Sequence, residues 1–287
     1  MKKSKDYIAI ITIILLCVTT ISGILSLNFS HAYDVVNQYG QTVSLYGYGI
    51  YAFDTYFKAP ISIGTDFCIL FVLVPMFLFT YMKYRTKNDA VSELKLISVY
   101  AVAFYYAASM AFGVTYNRLF LVYMLLFSCS LFGMFLHIRK LQWSRFVPIT
   151  NGGKLFLILS GLSLIVAWLP DVIPSVINGG TLSQIGVYTT EITYVLDMGI
   201  ISPLCFVCLY LTTQKKSLGT LIYAILLKAC IVVGIMMIPQ TACQIASGID
   251  IAIPVLVTKS LSFVLLGGCA IYLDQKLYRE IIHEKEQ

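Results

Sequence analysis

Charge is scarce in this sequence. Only 12% of its 287 residues are charged, 59% are hydrophobic, and mean hydropathy is +0.83. A soluble domain carries about a quarter charged residues and under half apolar ones. The shortage excludes a soluble globular enzyme, a disordered chain and a collagen-like fibre. Histidine is scarcer still: His31, His137 and His283 lie far apart, so no zinc or haem ligand set can be assembled from them. There is no glycine-rich phosphate loop, no G-x-S-x-G elbow and no H-E-x-x-H helix. The sequence therefore points to no metal, no cofactor, no nucleic-acid partner and no named catalytic set.

What it has instead is long apolar stretches. A spanning helix needs about 20 mostly apolar residues. Eight stretches qualify: about 7–27, 61–82, 96–115, 119–138, 155–176, 188–213, 219–240 and 254–274. The expected fold is all-α, a polytopic transmembrane bundle of eight helices making one integral membrane domain over 1–287, with the lipid bilayer as its surroundings. Seven of the eight cysteines fall inside these stretches, which fits small buried apolar residues better than a disulfide framework.

Lys and Arg set the orientation. With a cytoplasmic N-terminus, the inner segments hold 16 of the 20 basic residues. The outer ones hold only Lys58 and Arg118; Lys228 and Lys259 lie within spans. Both termini are then cytoplasmic. A cleaved leader ending near Ser30-His31-Ala32 would leave seven spans. The first apolar run, at about 20 residues, is too long for a 7–15-residue signal core.

The first outer loop, about 28–60, is rich in Tyr and Gly, and 35–43 reads as two extended arms around a turn. It is expected to form an ordered cap, or an aromatic belt at headgroup level. Pro75 and Pro203 should kink the second and sixth spans. Pro170 and Pro174 should end the fifth irregularly around Asp171.

Ionisable groups in hydrocarbon are costly, and they pair or face water. Asp66 and Lys259 each lie about five residues into their spans, roughly 8 Å deep, and Asp197 lies roughly 13 Å deep, at 1.5 Å per residue. Lys228 is near mid-span, with Glu191 and Arg118 above at the interface. Thr190, Thr193, Tyr194 and Asp197 make one polar stripe, and Ser98, Tyr105, Ser109 and Tyr116 make another. Asn117 and Ser128 share a side of the fourth span. These charges are expected to converge on a wet pocket open to the outside. It would bind or transport a small polar or ionic solute, or a lipid headgroup. Three other readings compete: structural ion pairs, a non-catalytic sensor or scaffold acting through a partner, and a lipid-modifying or thiol-redox enzyme built on Cys205 and Cys208.

Several runs carry a resemblance. They are 116–123 leading into 126–132, Val36-Asn37-Gln38-Tyr39-Gly40, and Tyr48-Gly49-Ile50-Tyr51 with Asp54. Gly64-Thr65-Asp66 and Leu196-Asp197-Met198-Gly199 through Pro203 complete the set. The chain resembles uncharacterised multi-pass membrane proteins of prokaryotes. That resemblance implies no particular activity. It marks Asp54, Asp66, Asp197 and Lys228 as residues to inspect, and implies a bacterial or archaeal plasma membrane.

Overall fold

The computed structural model describes residues 6–29, 32–141, 145–251 and 253–283; His31, within the leader site considered above, lies outside them. Among the described residues, eight helices form a bundle. They are α1 (Tyr7–Ile24), α2 (Lys58–Lys87), α3 (Ala90–Gly113), α4 (Phe120–Lys140), α5 (Asn151–Asn178), α6 (Ile192–Thr213) and α7 (Ser217–Ala246). The eighth, α8, runs through Ile253–Val255, Leu256–Leu261 and Ser262–His283. Among the described residues, α1 to α7 are long and apolar enough to cross a membrane. α8 is not in that set; its last three turns carry Asp274, Lys276, Arg279 and Glu280.

Local chemistry sets the ends. Asp6 caps α1 through the Ala9 amide. Asn88, in the left-handed region, and an Asp89–Ser92 capping box turn α2 into α3. Thr150 caps α5, Glu191 caps α6, and Gly179 closes α5 with φ 65°. Pro170 and Pro174 lie inside α5, which continues to Asn178 rather than ending around Asp171. Proline's fixed φ is helical, so each costs one donor without stopping the helix. Pro75 and Pro203 each follow a wide turn, Ile69–Leu73 and Asp197–Ile201. There Val74 donates to the Ile69 carbonyl and Ser202 to that of Asp197, five residues back. The extra residue in the turn absorbs the missing proline donor.

Packing between lipid-facing helices gains little from hydrophobicity, so close backbone approach through small residues matters most. Gly64 of α2 sits against the backbone of Pro239 and Gln240 in α7, and Gly234 of α7 against Gly267 of α8. α3 is the most enclosed helix. One core gathers α1, α2, α3 and α4 with Val232 and Met236 of α7; the other gathers α5, α6, α7 and α8 with Val91, Leu94 and Ile97 of α3.

Two loops cover one end. β1 (Tyr33–Val36) pairs antiparallel with β2 (Thr42–Leu45), Val36 opposite Thr42. Gly40, with φ 76°, helps turn this hairpin. Residues 46–56 fold back on β2, where Tyr56 donates to the Ser44 carbonyl. Asn37 Nδ2 donates to the Gly186 carbonyl (2.8 Å), which ties the hairpin to the loop before α6.

At the opposite end His137 of α4 lies between Asp6 (2.7 Å) and Glu93 of α3 (3.2 Å), its side chain 2% exposed. Burial pushes the Asp6 carboxyl up, but the hydrogen bond and charge of His137 outweigh it and hold it below its usual value. Removing one partner of a buried charged set costs about 3 kcal/mol. His137→Ala is therefore expected to lower thermal stability in detergent by about that amount. The buried thiols of Cys68, Cys205 and Cys208 allow unfolding to be followed with a thiol-reactive dye.

Candidate functional site

α2, α3, α5, α6, α7 and α8 surround a cavity of about 520 Å³, within the ~300–1,000 Å³ typical of small-molecule sites. The exposed Ser183, Gln184 and Asp250 border its mouth at the hairpin end. Val102, Leu164, Val233, Phe263 and Leu266 form an apolar floor nearer mid-bundle.

Asp197 is the deepest acid in the wall. It is 6% exposed and begins the wide turn of α6. Its Oδ1 accepts from Tyr105 Oη of α3 (2.7 Å) and its Oδ2 from Trp168 Nε1 of α5 (2.9 Å). The Trp168 ring stacks on Tyr194, with centroids 4.8 Å apart and planes 26° apart. Tyr194 Oη in turn donates to Asp171 (2.9 Å). Nearer the mouth Lys58 meets Glu191 at 3.0 Å and lies 4.1 Å from the centre of the Tyr188 ring. On the α7 side, Gln240 Nε2 donates to Thr65 Oγ1 (2.7 Å).

Of the charges expected to meet in one hollow, Asp66 and Lys228 are engaged elsewhere. Asp66 is fully buried and accepts from Tyr51 (2.6 Å) and Tyr106 (2.7 Å); among the described residues it makes no ion pair. Lys228 turns toward Asp274 of α8 (2.8 Å), away from the cavity. The side chain of Lys259 lies outside the described residues. Arg118 is exposed in the turn between α3 and α4. Asp197, Glu191 and Tyr194 do line the cavity, and Asp54 reaches its wall through Tyr188. The cause is geometric: position in a span gives depth, whereas the direction of a side chain around the helix depends on which neighbour packs there.

The polar stripes divide the same way. Thr193, Tyr194 and Asp197 line the cavity, while Thr190 is exposed ahead of α6. Tyr105 reaches the cavity, whereas Ser98 and Ser109 bond carbonyls of their own helix and Tyr116 is exposed beyond it. Asn117 accepts from the Leu119 amide at the start of α4, and Ser128 is half-buried within that helix. Sequence reasoning missed Trp168 and Asp171, whose i, i+3 spacing was the available signal, and Lys58, counted only as a loop charge. Cys205 and Cys208 are buried and not bonded to each other; Cys208 Sγ points to the Gly219 carbonyl.

No family model, curated protein or solved structure matches the chain.

The loops above the cavity hold a titratable lock. Asp54 Oδ1 accepts from Tyr188 Oη (2.8 Å) and from the Thr115 amide (2.9 Å). Burial raises the Asp54 carboxyl to about 6, against the lowering pull of the Thr115 and Tyr188 hydrogen bonds. The same burial, with the adjacent Asp54 charge, pushes the Tyr188 phenol well above its usual value. Between pH 3.8 and about 6 the unfolded chain has lost the Asp54 proton while the folded chain keeps it. Stability from this group therefore falls as pH rises through that window and is flat above it. Two pKa units correspond to about 3 kcal/mol. Melting temperature is expected to rise on acidification from pH 7 to pH 5, and this increment should disappear in Asp54→Asn.

Proposed function

We propose that the protein is an integral membrane binding protein and carrier. It crosses the bilayer eight times, α8 included, with both termini on the cytoplasmic side and the hairpin end outside. The home it fits is a prokaryotic plasma membrane, as the resemblance of its Tyr-, Gly- and Asp-bearing runs suggests. The distribution of basic residues supports this orientation: Lys83, Arg139 and Lys216 flank one end, while Lys58 and Arg118 stand at the other. The cavity of about 520 Å³ carries the functional reading. A mostly apolar chamber that keeps a buried carboxylate, Asp197, in its wall inside spanning helices is costly to maintain as mere packing. The wide turn at Asp197 supplies a helix interruption where α6 can move. A small polar or ionic solute, entering at the hairpin end, is the cargo.

Topology and access are tested together with single cysteines in a background in which all eight native cysteines, Cys230 of the cavity wall included, are replaced by Ala. Thr193→Cys should react with a membrane-impermeant thiol reagent added to intact cells, and Thr86→Cys only after permeabilisation. The reverse pattern would overturn the orientation. A Thr193→Cys thiol that reacts from neither side would overturn the open cavity.

A further inference from the structure

We propose that residues 179–191, the connection between α5 and α6, are a lid that regulates entry to the cavity. This rests on the binding reading above and adds how that site opens. The segment has neither helix nor strand of its own. Connections of about 12 or more such residues are uncommon in compact folds, and many are lids or binding loops. Leu182, Ile185 and Tyr188 of this segment line the cavity, and the last two are only 5% and 6% exposed. Ser183 and Gln184 at its tip stay in solvent. One surface of the segment therefore covers the cavity while the other meets water.

The hinge is Gly179-Gly180. Gly179 adopts φ 65°, and a Cβ at either position would meet nothing within 4 Å, so neither residue is packed in place. Glycine reaches left- and right-handed backbone at similar cost, which lets the segment swing on the end of α5. The far end is anchored, because Glu191 caps α6 and pairs with Lys58 at 3.0 Å.

The latch joins the middle of the segment to the hairpin and the loop after it. Asn37 Nδ2 donates to the Gly186 carbonyl (2.8 Å), and Gln38 Nε2 donates to that of Tyr188 (3.3 Å). Tyr188 Oη donates to Asp54 Oδ1 (2.8 Å) and accepts from the Thr55 amide (3.2 Å). A Cβ on Gly186 would overlap Thr55 Cγ2, so glycine lets the segment seat fully. All these contacts are loop to loop. The latch can therefore release while the helices stay packed, and elements that open over binding sites are drawn from such low-stability parts of a fold.

The test uses the full chain in a neutral detergent and needs no ligand. In the cysteine-free background above, Thr193→Cys reports on the cavity. A chain that keeps Cys208 alone reports on helix packing, since Cys208 is fully buried. Each is timed against a charged methanethiosulfonate. Tyr188→Phe removes both hydrogen bonds of that hydroxyl. Asn37→Asp keeps the oxygen that accepts from the Tyr39 and Gln41 amides, and puts an acceptor where the donor to Gly186 stood. Either change should raise the Thr193→Cys rate about tenfold, as loss of a latch hydrogen bond predicts, and leave Cys208 as slow as before. Should Tyr188→Phe fail to fold, Asn37→Asp carries the same reading. A Thr193→Cys rate unchanged by both would overturn the lid and leave the open cavity standing. An equal rise at Cys208 would overturn it in favour of general loosening of the bundle. A Thr193→Cys thiol that stays unreactive with the latch intact and with it broken would overturn the cavity reading as well.

Discussion

Gly64→Ala is expected to leave little folded protein. The methyl group would overlap the Gln240 Cα and stand 2.5 Å from the Gln240 nitrogen and 2.6 Å from the Pro239 carbonyl carbon. All three are backbone atoms of α7, so no side chain can swing aside. The two helices would have to separate along a contact that joins the two cores. Overpacking of a well-filled site costs ~1–3 kcal/mol when side chains can adjust, and against rigid backbone at least about 3 kcal/mol is expected. Gly268→Ala supplies the control. A Cβ there meets nothing within 4 Å, and in a helix the change from Gly to Ala is worth up to ~1 kcal/mol in favour of folding. Yield and melting temperature in detergent should fall sharply for the first and stay level or rise for the second. Equal behaviour of the two would mean that α2 and α7 do not approach as described.

The second large effect lies at Asp66. Asp66→Ala leaves the Tyr51 and Tyr106 hydroxyls, at 0% and 1% residue exposure, without their acceptor. Each buried unsatisfied group costs ~1–3 kcal/mol, so a total of about 2–6 kcal/mol is expected. Asp66→Asn keeps an acceptor oxygen and should cost about half as much or less. Gly23 sharpens the test, since a Cβ there would overlap Asp66 Oδ2. Gly23→Ala should be severe alone and milder in the Asp66→Ala background, where the obstructing carboxylate is gone. A double-mutant cycle in thermal melts reads this coupling. Simple additivity would show that the Gly23–Asp66 contact is absent.

Much of the helical architecture was legible because an apolar run of about 20 residues has few other uses. Seven of the expected stretches correspond to helices long and apolar enough to span. Their ends were less legible. α2 begins at Lys58 and α7 reaches Ala246, since helices extend past the apolar run wherever the flanking residues keep their backbone bonds. Conversely, Tyr188, taken as the start of the sixth span, belongs to a loop that packs on Asp54. The site was legible in depth but not in direction. Asp197 and Asp66 both stand near the hairpin ends of their helices, yet one faces the cavity and the other faces α1 and α3. Hydropathy along one helix carries no information about the tyrosines that another element brings. Asp274 shows the same gap: it is the last residue of the eighth expected stretch, and nothing along that stretch announces its pairing with Lys228.

Tyr105 and Tyr106 are consecutive on α3, and neighbouring side chains on a helix point about 100° apart. One hydroxyl holds Asp197 of α6 and the other holds Asp66 of α2. Tyr106 also borders the cavity. α3 thus joins the two halves through adjacent side chains. On the binding reading proposed above, a solute that draws Tyr105 from its carboxylate is expected to load the Tyr106–Asp66 contact as well, so that filling the chamber would be felt in the α1–α2 half of the molecule without any ligand atom reaching it.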